Sequence, residues 1–166
     1  MVGDAEPSGG GADGQEVQRA LLREVGLALH ASIASGYDRI EAEISIVAGT
    51  SSWQEGLYRE DGTYLSLGTS SAFPKRAGEL RRAMYREGWG TWFTAWFTVT
   101  AAGKVRTRYD YDTEPRLGHF GAPEYRADFE DFPRTPEHTP AWLAAILAGA
   151  PTRHDLVGRE TRRKRR

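Results

Sequence analysis

The sequence predicts an α+β fold: a single antiparallel sheet of about five strands with helices packed on one face, in the order α-β-β-β-α-β-β-α. Three observations lead there. Trp92 to Asp112 reads WFTAWFTVTAAGKVRTRYDYD and alternates on both sides of Ala101-Ala102-Gly103, the pattern of a β-hairpin. Arg39 to Val47 (RIEAEISIV) sets Ile40, Ala42, Ile44 and Ile46 against Glu41, Glu43 and Ser45, the mark of a strand with one wet face. Successive strands without a helix between them are joined by short connections, which requires antiparallel pairing. An apolar sheet face must be covered, and helices are the cover available here.

The elements follow in order. Residues 1 to 14 are Gly, Ala, Asp and Ser around one Pro, and are expected to be a disordered N-terminal segment. From Gln15 the pattern is helical: Val17, Ala20, Leu21, Val25, Ala28, Leu29 and Ile33 recur at spacings of three and four. Asp13 is the expected N-cap with Glu16 as its capping-box partner, and Ser35-Gly36 the stop. After the strand at 39–47, Gly49 to Ser52 reads as a loop. Trp53 to Arg59 and Thr63 to Leu67 read as two strands joined through Asp61-Gly62. Phe73-Pro74 opens a second helix to about Glu87. Ala77, Leu80 and Met84 form its buried stripe, and Arg81, Arg82 and Arg86 its exposed face. After the hairpin, residues 113 to 138 lack periodicity, hold four prolines and read as a long acidic loop. Thr139-Pro140 starts a third helix with Trp142, Leu143, Ile146 and Leu147 inward. The domain is expected to span residues 15–150, followed by a basic disordered tail, 151–166.

Composition narrows the function classes. At 166 residues the chain supports one domain with a real core. Residues 151–166 hold seven Lys/Arg and two Asp/Glu, net +5, whereas the other 150 hold fifteen and twenty-one, net −6. An acidic body disfavours nucleic-acid phosphate and favours basic partners. There is no cysteine, so disulfides and thiolate metal sites are excluded. The N-terminus lacks the positive-then-apolar order of a secretory signal, and no apolar run suits a membrane span. A cytoplasmic protein without membrane partners is the expectation.

Motifs with specific chemistry are scarce. His30, His119, His138 and His154 show no metal-ligand spacing in the sequence. His119 and His138 sit near carboxylates, which permits a general base but more readily a loop hydrogen bond. No phosphate-cradling glycine motif and no nucleophile elbow occurs. No catalytic residue, metal or cofactor is therefore expected. Along the strand, Asp110 and Asp112 share a face about 7 Å apart. They read as a rim for the Lys and Arg of a partner, or equally as a solvated edge that resists aggregation, and less readily as a hard-cation or acid–base site. Trp92 and Trp96 are expected on one strand face and Phe93, Phe97 and Val99 on the other. Core packing is their commonest use; an exposed set would make a sticky patch, on which a homodimer could form.

The order of these pieces is that of a known family. YDRIEAEISIVAG, then a hairpin and helix, then TWFTAWFTVT and GKVRTRYDYD, resembles the YezG-like family of bacterial immunity proteins across residues 17–148. The ending DFEDFPRTPEHTPAWLAAIL is similar to that of its actinobacterial members. The resemblance implies an antitoxin that binds a cognate secreted or contact-delivered toxin domain, often a nuclease, and occludes it. It places the aromatic-acidic run of the family on Tyr109, Asp110, Tyr111 and Asp112. With the loop acids Asp128, Glu130 and Asp131, these form the expected contact set. Two other classes stay open: a nucleic-acid-binding accessory protein using the Trp strand and basic tail, and a small enzyme pairing His119 or His138 with Asp110 or Asp112.

Overall fold

The computed structural model describes residues 11–68 and 72–164. The elements are α1 (Ala12–His30), β1 (Arg39–Val47), β2 (Thr50–Tyr58), β3 (Tyr64–Ser66), α2 (Phe73–Ala83), β4 (Thr94–Thr100), β5 (Val105–Asp110), α3 (Ala122–Asp131), α4 (Ala141–Leu147) and α5 (Arg153–Lys164), with a 3-10 turn at Pro136–His138. One five-stranded antiparallel sheet runs β3-β2-β1-β4-β5. The fold is α+β, as the alternation predicts. Among the described residues, no helix is long and apolar enough to cross a membrane.

Period-two alternation builds the main core. Ile40, Ala42 and Ile44 of β1 lie opposite Val99, Phe97 and Ala95 of β4, and all six are buried. α1 and α2 pack together over this face, contributing Val25, Leu29, Phe73, Ala77 and Leu80. Each such aliphatic or aromatic side chain contributes about 1.5–3 kcal/mol by leaving water. Phe73 of α2 meets Phe97 edge-on, centroids 5.5 Å apart, which locks helix to sheet.

Several boundaries move for local reasons. α1 begins after Gly11, so Asp13 lies in its first turn rather than at the cap, and Ala12–Gly14 are helical rather than disordered. Residues 1–10 of the expected N-terminal disordered segment lie outside the described residues. The expected loop at Gly49–Ser52 is mostly strand. Val47 pairs with Thr50 across a two-residue turn in which Ala48 takes φ 53°, so Thr50, Ser51 and Ser52 continue the ladder. α2 stops at Ala83 rather than near Glu87.

The C-terminal third differs most. The expected loop at 113–138 contains α3, with Pro123 in its first turn and the Glu124 carboxylate accepting the Gly121 N–H at 2.9 Å. α3 and α4 enclose a second apolar cluster of Val47, Phe93, Phe120, Tyr125, Leu143 and Ile146. Val47 follows Ile46 of the main core, so strand alternation carries it to the opposite face of the sheet. There Ser45 and Thr94 are buried as well and share a hydrogen bond of 3.0 Å. Residues 153–164, expected as a disordered tail, form α5. Its start is capped reciprocally: the Thr152 N–H and hydroxyl donate to Asp155 (2.9 and 3.0 Å), and the Asp155 N–H donates to the Thr152 hydroxyl (3.3 Å).

Candidate functional site

Alternation fails where β4 begins, and that failure builds the site. Trp92 lies in the main core, Phe93 in the second cluster, and Thr94 starts the regular strand. Phe93 donates its N–H to the Asp110 carbonyl (2.8 Å), and its own carbonyl accepts the Ile46 N–H (2.9 Å). Trp92 and Trp96 therefore do not share a face, contrary to the period-two expectation. Trp96 is half-buried on the open sheet face, with the Arg108 guanidinium 3.8 Å from its ring centroid. Trp89 is more exposed than either, at 45%.

Just before this kink the chain reverses at Arg86–Gly90. The Arg86 N–H donates to the Gly90 carbonyl and the Gly90 N–H to the Arg86 carbonyl, both at 3.0 Å. The Gly88 carbonyl accepts the Thr135 N–H at 2.8 Å, tying the turn to the segment after α3. Gly90 sits at φ 79°, and a Cβ there would lie 2.3 Å from Arg134 Nε. Arg134 cannot step aside, because its guanidinium donates to the carbonyls of Thr91 (2.6 Å), Tyr111 (3.0 Å) and His138 (3.3 Å). Gly90→Ala should therefore cost about 1–3 kcal/mol, read as a lower denaturation midpoint at unchanged m-value. A midpoint equal to wild type would show that Arg134 yields.

These contacts frame a cleft of about 600 Å³ lined by Arg86, Trp89, Tyr111, Asp112, Arg134 and the segment Glu137–Pro140. The His138 ring stacks on Trp89 with centroids 3.6 Å apart, and the Arg86 guanidinium stands 5.0 Å from the Trp89 centroid. His138 Nδ1 shares a 2.8 Å hydrogen bond with the Thr135 hydroxyl, which sets the ring plane. Trp142 Nε1 donates to the Asp112 carbonyl at 2.6 Å and fixes the opposite wall.

The charges are sorted by what already holds them. Burial lowers the pKa of Arg134, and the nearby Asp112 and Asp128 work against that shift. Three of its N–H groups donate to carbonyls, so it braces the floor. The Glu137 carboxyl is held below its ordinary range by its own backbone N–H and by the Thr135 side chain, so it is anionic at neutral pH. Burial pushes the Tyr111 hydroxyl up, so it stays protonated and can donate. The cleft thus offers an aromatic wall and two exposed carboxylates, Asp112 and Glu137, above a braced cationic floor.

Only part of the expected contact set reaches a surface. Tyr109 packs inward, with its ring centroid 5.8 Å from Trp92 and 6.1 Å from Phe97. Asp110 ends β5: its Oδ1 accepts the N–H groups of Asp112 (3.0 Å) and Thr113 (2.9 Å). Partial burial works against those bonds, yet they hold its carboxyl below the ordinary range. The strand therefore turns before Asp112, and the rigid Asp110/Asp112 rim does not form. Asp128 is 4% exposed and forms a two-point ion pair with Arg81, at 2.8 and 2.9 Å. It also accepts the Ala48 N–H at 2.6 Å, so it is interior and unavailable to a partner. Arg81, expected on the exposed face of α2, is 2% exposed and donates Nε to the Trp92 carbonyl at 2.6 Å. Glu130 and Asp131 are exposed at the end of α3, while Tyr111 and Asp112 are in the cleft.

The sequence alone weights Trp89, with Trp92 and Trp96, toward the core over a partner anchor, and does not single out Arg134 or Glu137. Trp89 between two glycines was the available signal, since glycines flanking a large aromatic point to a turn that displays it. Compared with known proteins, the chain matches no protein-family model and no curated protein.

Proposed function

We propose that this chain is an immunity protein, acting in the cytoplasm of the producing cell, that binds a cognate toxin domain and neutralises it by occlusion. The observation that carries this reading is the cleft itself: an exposed Trp89 on a braced turn, beside Tyr111, Asp112 and Glu137. Rigid aromatic anchors next to carboxylates suit a basic protein surface, because the rings exclude water from the charge pairs. The revised contact set is Trp89, Tyr111, Asp112 and Glu137, with Glu130 and Asp131 contributing long-range attraction. Occlusion needs no chemistry from the inhibitor.

The test uses a photo-crosslinking residue at position 89, with position 27 on the exposed side of α1 as control. The protein captured at position 89 should arrest growth when expressed alone, and co-expression of this chain should restore growth. Trp89→Ala should weaken the complex by about 2 kcal/mol, roughly 30-fold. Asp112→Lys should slow association and flatten its salt dependence. Unchanged affinity in both variants would remove the cleft from the interface. A captured protein that is harmless alone would remove the antitoxin reading.

The nucleic-acid reading loses Trp92, which is buried, as a stacking residue; Trp96 is half-buried against Arg108, and Trp89 stays exposed. The enzyme reading keeps one observation: His138 and Asp112 line the same cleft. Turnover lost in His138→Ala while the toxin complex persists would favour it.

A further inference from the structure

Away from the cleft, the fold joins two histidines that stand 35 positions apart in the chain. His119 Nδ1 and His154 Nδ1 are 3.1 Å apart, and both rings are exposed. His119 lies in the segment before α3, and His154 in the first turn of α5. They share a shallow pocket with Glu114, Arg116, Arg153 and Val157.

The separation matches a chelate. Imidazole nitrogens about 2.0–2.1 Å from one ion, at coordination angles of about 90–110°, lie roughly 2.9–3.4 Å apart. Without an ion, the same approach permits one hydrogen bond, and only if one ring carries its proton on Nδ1 and the other does not. With neither ring carrying its proton on Nδ1, the two nitrogens could instead ligate one cation. Imidazole selects zinc, copper or nickel over calcium and magnesium. Glu114 adds negative charge and is already positioned, its Oε1 accepting the Arg153 N–H at 2.7 Å. Among the described residues no cluster of three or more His, Cys, Asp or Glu side chains could hold a metal ion. A bound ion would therefore take two ligands from the protein and the rest from water.

The location gives the pair a task. α5 buries none of its own residues. The Glu114 bond to Arg153 and the histidine pair link its first turn to the segment before α3. We propose that His119 and His154 form a two-histidine site for a borderline divalent transition ion, zinc foremost, which clasps α5 to the segment before α3. An ion there joins two parts of the chain that otherwise meet through few contacts, so it favours the docked helix over the released one.

The full chain is titrated with zinc chloride by calorimetry, and amide exchange of α5 is followed with and without zinc. One zinc should bind per chain, and α5 amides should exchange more slowly in its presence. His119→Ala and His154→Ala should each weaken binding at least ~10-fold, since losing a ligand costs no less than losing an outer partner. His30→Gln should leave it unchanged. His154→Gln separates the two readings of the contact, because glutamine can keep a hydrogen bond but is a poor ligand. Wild-type zinc affinity in that variant, or equal affinity in the His119/His154 double variant, overturns the proposal. So does zinc binding that leaves α5 exchange unaltered.

Discussion

Asp128→Ala is expected to destabilise the fold by about 3–5 kcal/mol, because it strands a buried guanidinium. Arg81 and Asp128 are 2% and 4% exposed, so water cannot replace the lost carboxylate. The carboxylate also accepts the Ala48 N–H in the β1–β2 turn, the site of the positive-φ alanine. That turn should loosen with it. For a chain of this size, 1 kcal/mol moves the melting temperature by roughly 2–4 °C, so a drop of about 10 °C is expected. The double variant Arg81→Met with Asp128→Leu should lose less than Asp128→Ala, since no charge is left unpaired. A melting temperature within 3 °C of wild type for Asp128→Ala would mean that Arg81 finds water or another partner. This measurement also separates the sequence expectation from the structure. A partner-facing Asp128 would lose affinity and keep stability; an interior one does the reverse.

Trp92→Ala should cost a similar amount, about 3–5 kcal/mol, by opening a large void between α2 and β5. The ring is fully buried and packs on Tyr109 with centroids 5.8 Å apart. Its Nε1 is buried and has no hydrogen-bond partner among the described residues. An unmet buried donor costs about 1–3 kcal/mol, which offsets part of what the ring contributes. Trp92→Phe removes that donor while keeping an aromatic ring, so it should cost far less than alanine. Chemical denaturation of the two variants checks this. If phenylalanine proved as damaging as alanine, the indole N–H would have a partner, or the exact ring shape would be essential. Because Trp92 closely follows the Arg86–Gly90 turn that displays Trp89, the alanine variant should also weaken partner binding.

The parts of the fold legible in the sequence are those set by local period. Ile40 to Ile46, and Ala95 to Val99, announce their buried face two residues at a time, and the sheet follows. Leu21, Val25 and Leu29 do the same for α1. α3 was not legible, because its inward positions Tyr125 and Asp128 include an acid, which breaks the apolar stripe. An aspartate counts as a solvent residue until its arginine is known, and Arg81 is 47 residues away. α5 was closer to legible: Thr152 and Asp155 have capping-box spacing, but basic composition outweighed that signal. Of the expected contact residues, Tyr111 and Asp112 line the cleft, and Glu130 and Asp131 stay exposed. Tyr109, Asp110 and Asp128 serve the fold.

By itself, the sequence determined the fold class, the faces of β1 and of β4 from Ala95 onward, and the acidic body with its basic end. These depend on spacing and composition, which act within a few residues of each other or on the chain as a whole. The tertiary structure alone decided that β1 lies between β2 and β4, that Arg81 and Asp128 pair inside, and that Trp89 faces a cleft with Asp112 and Glu137. It also decided that His119 meets His154. The physical reason is common to all four. A charged or aromatic side chain has several low-energy fates, and what selects among them is a partner supplied by a distant segment once the sheet has closed.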